Sequence, residues 1–172
     1  ALKLVPLVSA LIASFFIFKI AKEKFGNSEA ILSSMLFMFS YSIMFNSVFS
    51  FGVMTAAMLM AVGFYFLFNK EKYYLAGLFF GLAAITRLLA LIPISAILIM
   101  ALLSSRKNFI HLSSVFLIIF LAVNMPFILL FGNDYITPVY KFHLAKNAGI
   151  NQNLTEYLGI VKLNWILFLS AS

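Results

Sequence analysis

A chain of 172 residues that is 64% hydrophobic and only 10% charged is not an ordinary soluble domain, where roughly 45–50% apolar and about 25% charged residues are usual. Its net charge of +7 does not point to nucleic acid, because the lysines fall in short clusters between apolar runs, as the positive-inside rule distributes them. Cysteine is absent, which removes disulfides, thiol redox chemistry and thiolate metal sites.

The apolar runs are long and continuous, so helices are expected rather than barrel strands, which would alternate in segments of about ten residues. The first span covers about Leu4 to Ile20 and ends in Lys19, Lys22 and Lys24. A Phe25-Gly26-Asn27 break follows, with Asn27 or Ser28 expected to cap the next helix. A second span runs from about Ala30 to Phe45, and Asn46 to Gly52 reads as a short polar break with Ser47 and Ser50. The third span, about Val53 to Phe68, ends in Asn69-Lys70-Glu71-Lys72.

Next comes Tyr74 to Leu103, an apolar run interrupted by a single charge, Arg87. Some twenty helical residues cross a core of roughly 30 Å, so the run is too long for one span and short for two. Charge parity decides. A single helix would put Arg106 and Lys107 on the side opposite Lys70 and Lys72, against the positive-inside rule. A hairpin, out from Tyr73 to Ile85 and back from Leu88 to Leu103, returns them to the same side. Thr86 and Arg87 then form the outer turn, and Pro93 falls near the start of the return helix, where proline is tolerated.

A further span, about Phe109 to Phe131, goes outward with Pro126 near its end. Residues 132–164 form the one long polar segment, extracytoplasmic by the same parity, and Trp165 opens the next span at an interface. The expected architecture is all-α, a polytopic transmembrane helical bundle of about six to seven spans, forming a single domain over residues 1–172. The chain starts with Ala, has no recognisable signal peptide and ends in an apolar stretch. It therefore reads as an internal piece of a longer multi-pass protein, truncated at both ends. Its membrane would be the plasma membrane or, in a eukaryote, the endoplasmic reticulum.

Arg87 is the first candidate for chemistry. At the membrane edge its planar fork suits a phosphate, to which it can donate two hydrogen bonds at once. The plainer alternative is an arginine that snorkels to headgroups. Gly77, Gly81, Ala83 and Ala84 give its helix a small face of the kind that packs closely. In the outer segment, Asp134 and Glu156 are the acids and His143 the histidine. A carboxylate near a histidine could do acid–base work, or the segment could be a solvated loop. Tyr135, Tyr140 and Tyr157 could stack on sugar rings or reside at the interface. His111 reads as a headgroup-level residue, Asn153-Leu154-Thr155 is a glycosylation sequon, and the many Met and Phe residues read as packing. No phosphate-cradling glycine loop, helical His/Glu metal pair or nucleophile elbow occurs.

The stretch Lys72-Tyr73-Tyr74-Leu75-Ala76-Gly77-Leu78-Phe79-Phe80-Gly81-Leu82-Ala83-Ala84-Ile85-Thr86-Arg87 resembles a recurrent segment of the GT-C superfamily of membrane glycosyltransferases. There a Gly-Leu-Ala-x-x-Thr-(Lys or Arg) segment ends an outward helix and a Leu/Pro-rich helix returns, a place that Leu91-Ile92-Pro93-Ile94 fills here. The resemblance, closest to the mannosyltransferase-like members, extends over about Leu4 to Phe131. Two features differ from many relatives: Phe51-Gly52-Val53 stands in the outer break in place of a Gly-Gln or acidic motif, and Leu88 follows Arg87 in place of proline.

The resemblance implies transfer of a sugar from a polyprenyl-phosphate donor to a glycan, lipid or protein acceptor on the extracytoplasmic or lumenal face. It implies donor-phosphate binding at Arg87, with Thr86 beside it, and substrate contacts over the site from Asp134, Tyr135, His143 and Lys146. The catalytic acid of such enzymes lies in the first outer loop, expected upstream of residue 1. No cofactor is implied, while a divalent-metal requirement stays open. Two other readings stand beside this one: a transporter or lipid flippase that binds an anionic substrate at Arg87, and a non-catalytic membrane scaffold. The absence of an acid within any span weakens proton-coupled transport.

Overall fold

The computed structural model describes residues 4–49 and 51–141, which are helical almost throughout and contain no strand. Two compact units are present, Ala1–Val123 and Asn124–Ser172. The first begins with α1 (Leu4–Lys24), whose last turn carries Lys22 and Lys24, the signs that favour a helix C-terminus. The cap of the next helix is Gly26 rather than Asn27 or Ser28, and no side chain bonds to it. Gly26 has φ +116°, a conformation that glycine reaches at no steric cost, and so the chain reverses within two residues into α2 (Asn27–Phe39).

The expected second span is divided, and the polar break expected over Asn46–Gly52 holds a helix boundary, between Phe49 and Phe51. The division falls at Ser40, extended at φ −64°, ψ 136°. Its hydroxyl donates to the Phe37 carbonyl at 3.0 Å and accepts from the Ile43 amide at 3.4 Å, so one serine ends α2 and caps α3 (Tyr41–Phe49). Asn46 does not break that helix, because its amide donates back to the Ser42 carbonyl one turn earlier, at 2.7 Å. The helix α4 (Phe51–Phe68) follows.

The run around Arg87 is a pair of helices, as length and charge parity required. The helix α5 (Tyr73–Thr86) ends at Arg87, a single 3₁₀ turn covers Leu88–Ala90, and α6 (Leu91–Ser104) follows. Ser105, extended at φ −161°, separates α6 from the 26-residue α7 (Arg106–Phe131). Both α1 and α7 are long and apolar enough to cross a membrane, while α5 and α6 are apolar but shorter. The chain is a membrane protein built as a helical bundle.

Packing fixes the directions. Asn69 donates to the Lys19 carbonyl at 3.4 Å and Lys70 pairs with Glu23 at 3.5 Å, so α1 and α4 end together and run parallel. The Tyr65 hydroxyl, and then the Glu23 carboxylate, hold the Lys70 ammonium above its ordinary pKa. Helix α5 returns antiparallel to α4: Phe80 fills the space left by Gly63, Phe79 stacks on Phe66 at 5.6 Å, and Gly52 lies against the Thr86 carbonyl. Against α7 the approach is closer still. A Cβ added at Gly77 would lie 2.5 Å from the Leu112 carbonyl oxygen, and one at Gly81 would lie 3.0 Å from Ile119. Gly77 and Gly81 are one turn apart on the same face, the small-residue spacing that lets membrane helices touch backbone to backbone. Phe80, Ile94 and Leu112, each at most 1% exposed, join α5, α6 and α7 in one core.

One end of this unit therefore gathers Lys19, Lys22, Lys24, Lys70, Lys72, Arg106 and Lys107, and Arg87 lies at the other end.

The glycine contacts generate a contrast. Gly77→Ala should destabilise the folded protein by about 1–3 kcal/mol, since the clash is with backbone. Gly52→Ala, whose Cβ would meet only an ordinary 3.6 Å contact, should be neutral or stabilising by up to about 1 kcal/mol through helix propensity. Thermal unfolding midpoints in matched detergent micelles check both.

Candidate functional site

The site grows from the end of α5. The Arg87 amide still donates to the Ala83 carbonyl at 2.9 Å, which closes the last α-helical turn. Its own backbone is extended, at φ −154° and ψ 116°, and its carbonyl accepts from the Ala90 amide at 2.9 Å. Arg87 is thus the hinge between two helices and not a position inside either. Pro93 falls in the first turn of α6, where a missing amide proton costs nothing because that amide would have no partner.

The Arg87 side chain is half-buried. Among the described residues it has no carboxylate partner and no hydrogen bond from its guanidinium. The acids Glu23 and Glu71 lie at the basic end, one bonded to Lys70 and the other in the turn before α5. A guanidinium carries five donors in a fixed fork, and leaving such donors partly desolvated and unpaired is unfavourable. An anionic ligand would relieve that.

Thr86, the last residue of α5, stands beside Arg87. Its hydroxyl donates to the Leu82 carbonyl at 2.8 Å, so its proton is committed to its own helix. It secures the last turn from which Arg87 departs.

Helix length sets the depth of the site. The 14 residues of α5 span about 21 Å, short of the roughly 30 Å hydrocarbon core. The hinge at Arg87 therefore stands about 21 Å from the basic end.

The second unit contains the other described candidates. Gly132, at φ +50°, ends α7, and residues expected to be loop form a short helix, α8 (Asn133–Ile136), followed by a wide turn over Thr137–Lys141. Asp134 is exposed in the first turn of α8. Tyr135 and Tyr140 both donate their hydroxyls to the Asn124 side-chain oxygen at 2.8 Å, and the Tyr135 ring stacks on Phe127 at 5.4 Å. Burial, and then Tyr135 beside it, push the Tyr140 phenol above its ordinary pKa, which keeps it protonated as a donor. These tyrosines fasten the segment that follows α7. His143, Lys146, Glu156, Tyr157, Trp165 and the Asn153 sequon lie outside the described residues. His111 is exposed in the second turn of α7, at the basic end.

Sequence reasoning passed over Asn124, buried at 4% exposure. The signal was an amide in an otherwise apolar run two residues before Pro126. It also passed over a cavity at the basic end, because the residues that line it come from four separate helices. Among the described residues no three metal-ligating side chains come together.

A family model described as dolichyl-phosphate-mannose-protein mannosyltransferase matches residues 1–129. No curated protein and no solved structure matches the chain. The matched residues include α1 to α6, the Arg87 hinge and nearly all of α7. With three quarters of its length matched, this all-helical membrane chain belongs to the dolichyl-phosphate-mannose-protein mannosyltransferase family.

Proposed function

We propose that the chain is part of a multi-pass membrane glycosyltransferase that moves a sugar, in this family mannose, from a polyprenyl-phosphate donor to a glycan, lipid or protein acceptor. Transfer takes place on the extracytoplasmic or lumenal face. The basic end faces the cytoplasm, and the turn at Arg87 faces the opposite side.

The observation that carries the reading is Arg87: a half-buried guanidinium at the hinge of a short helix pair, without a partner among the described residues. A departing lipid phosphate gains charge as the bond from the anomeric carbon to the phosphate oxygen breaks. A fixed cation at that position stabilises the transition state more than the ground state. The hinge suits a donor whose phosphate is held at the membrane by its lipid chain. Thr86 supports Arg87 by holding the helix end. Asp134, Tyr135, His143 and Lys146 are the candidates for contacts to sugar or acceptor. The general base that takes the acceptor proton is a separate group. Glu23 and Glu71 are the wrong choices for it, since both lie at the basic end.

In the full-length protein in proteoliposomes, Arg87→Ala should lower transfer of labelled mannose from polyprenyl-phosphate mannose by about 10²–10³-fold, with membrane insertion unchanged. Arg87→Lys should recover part of the activity by restoring charge without the fork. Thr86→Val should cost less than about tenfold, as expected for loss of one supporting hydrogen bond. Unchanged turnover in Arg87→Ala would remove the assigned role. Lipid translocation without a glycosylated product would favour a flippase.

Sidedness has its own test, helped by the absence of cysteine in the chain. A cysteine introduced at Leu89 should react with a membrane-impermeant maleimide from the extracytoplasmic side. One at Lys72 should react only after permeabilisation.

A further inference from the structure

At the basic end of the first unit, the C-terminal turn of α4, the start of α5, the end of α6 and the start of α7 line an open cavity of about 140 Å³. Its inner wall is apolar, formed by Leu67, Ile97 and Ala101. Its rim mixes the exposed apolar Phe68 and Met100 with the polar Tyr73, Ser104 and Asn108. The side chains of Ser104 and Asn108 make no hydrogen bond among the described residues. Lys72 directly precedes Tyr73, and Arg106 and Lys107 directly precede Asn108. Lys70 is neutralised by Glu23, but Lys72, Arg106 and Lys107 have no ion-pair partner among the described residues. The nearest unpaired acid in sequence, Glu71, is exposed in a left-handed turn at φ +51°.

We infer that this cavity binds one anionic phospholipid from the leaflet at the basic end, the phosphate against Arg106, Lys107 and Lys72, and a segment of acyl chain between α4, α5 and α6. The volume is close to that of an apolar cavity of about 150 Å³ that takes up benzene, so it accommodates a short hydrocarbon segment and not a whole chain. Charge selects the headgroup. Three cations next in sequence to the rim residues Tyr73 and Asn108 complement a phosphate that keeps a net negative charge, and a zwitterionic headgroup offers no such net attraction. The arginine contributes a two-point contact to phosphate oxygens, and the Ser104 hydroxyl and Asn108 amide supply neutral donors to the glycerol esters. This site is at the opposite end of the unit from Arg87 and does not depend on the glycosyl-transfer reading. It depends only on residence in a membrane.

The test is native mass spectrometry of the full-length protein released from detergent after exchange into mixed micelles. The micelles contain equal amounts of palmitoyl-oleoyl phosphatidylglycerol and phosphatidylcholine. One phosphatidylglycerol should be retained in at least tenfold preference. Arg106→Ala with Lys107→Ala should weaken retention by on the order of 25-fold, at about fivefold per cation. Ser104→Trp, which fills the cavity from an exposed rim position, should displace the lipid without changing the unfolding midpoint. A phosphatidylglycerol with a diazirine in its acyl chain should cross-link the wild-type protein within residues 67–73 and 97–108, a readout that needs no variant to fold. Equal retention of both lipids, full retention in folded variants, or cross-links confined to other helices would each overturn the proposal.

Discussion

The backbone-to-backbone contact of α5 with α7, made possible by Gly77 and Gly81, is the constraint on which the described bundle depends. In a lipid surround apolar side chains gain little by meeting one another, since lipid tails are equally apolar. Helices there associate by close packing. A glycine face brings the Leu112 carbonyl to within 2.5 Å of where a Cβ would be, a separation that no side chain tolerates. On the α4 side of α5, Gly63 leaves the space that the Phe80 ring occupies. Held between these neighbours, α5 has its direction, and hence the end at which Arg87 emerges, determined by sterics and not by charge.

Electrostatics then sorts the ends. The lysines of α1 and of the α4–α5 turn collect with Arg106 and Lys107 because an outward and a return helix separate those last two from Lys72. Exposed pairs such as Lys70 with Glu23 add little stability, but they mark which ends meet. The cost of an arginine near the membrane core is tolerable at a hinge where the chain leaves one helix and has not yet entered the next. The shortness of α5 keeps that hinge about 21 Å from the basic end.

Much of this is legible in the order of the residues alone. Length against membrane thickness, together with charge parity, locates the turn at Thr86 and Arg87 to within a residue. The small face of α5 is visible as Gly77, Gly81, Ala83 and Ala84. Other features are not. The break at Ser40 looks like any serine in an apolar run, and it becomes a break because its hydroxyl serves both helix ends. Within the expected Asn46–Gly52 break, Asn46 itself stays helical because an asparagine can bond back to its own helix. That the Thr86 hydroxyl donates to the Leu82 carbonyl is not visible in the sequence. Nor is the bond from the Tyr135 hydroxyl to Asn124 visible there.

Sequence by itself determined membrane residence, helical class, the gathering of basic residues at one end and the isolation of Arg87 from them. These follow from composition, run length and charge order, which are properties of the chain read along its length. Only the tertiary structure decided that α7 is the helix against which Gly77 and Gly81 close, that Arg87 stands about 21 Å from the basic end, and that Leu67, Ile97, Ser104 and Asn108 share one cavity. The physical reason is that a small face specifies close approach without naming the partner. Depth and cavity shape arise from which helices meet and at what height, and no local pattern encodes that.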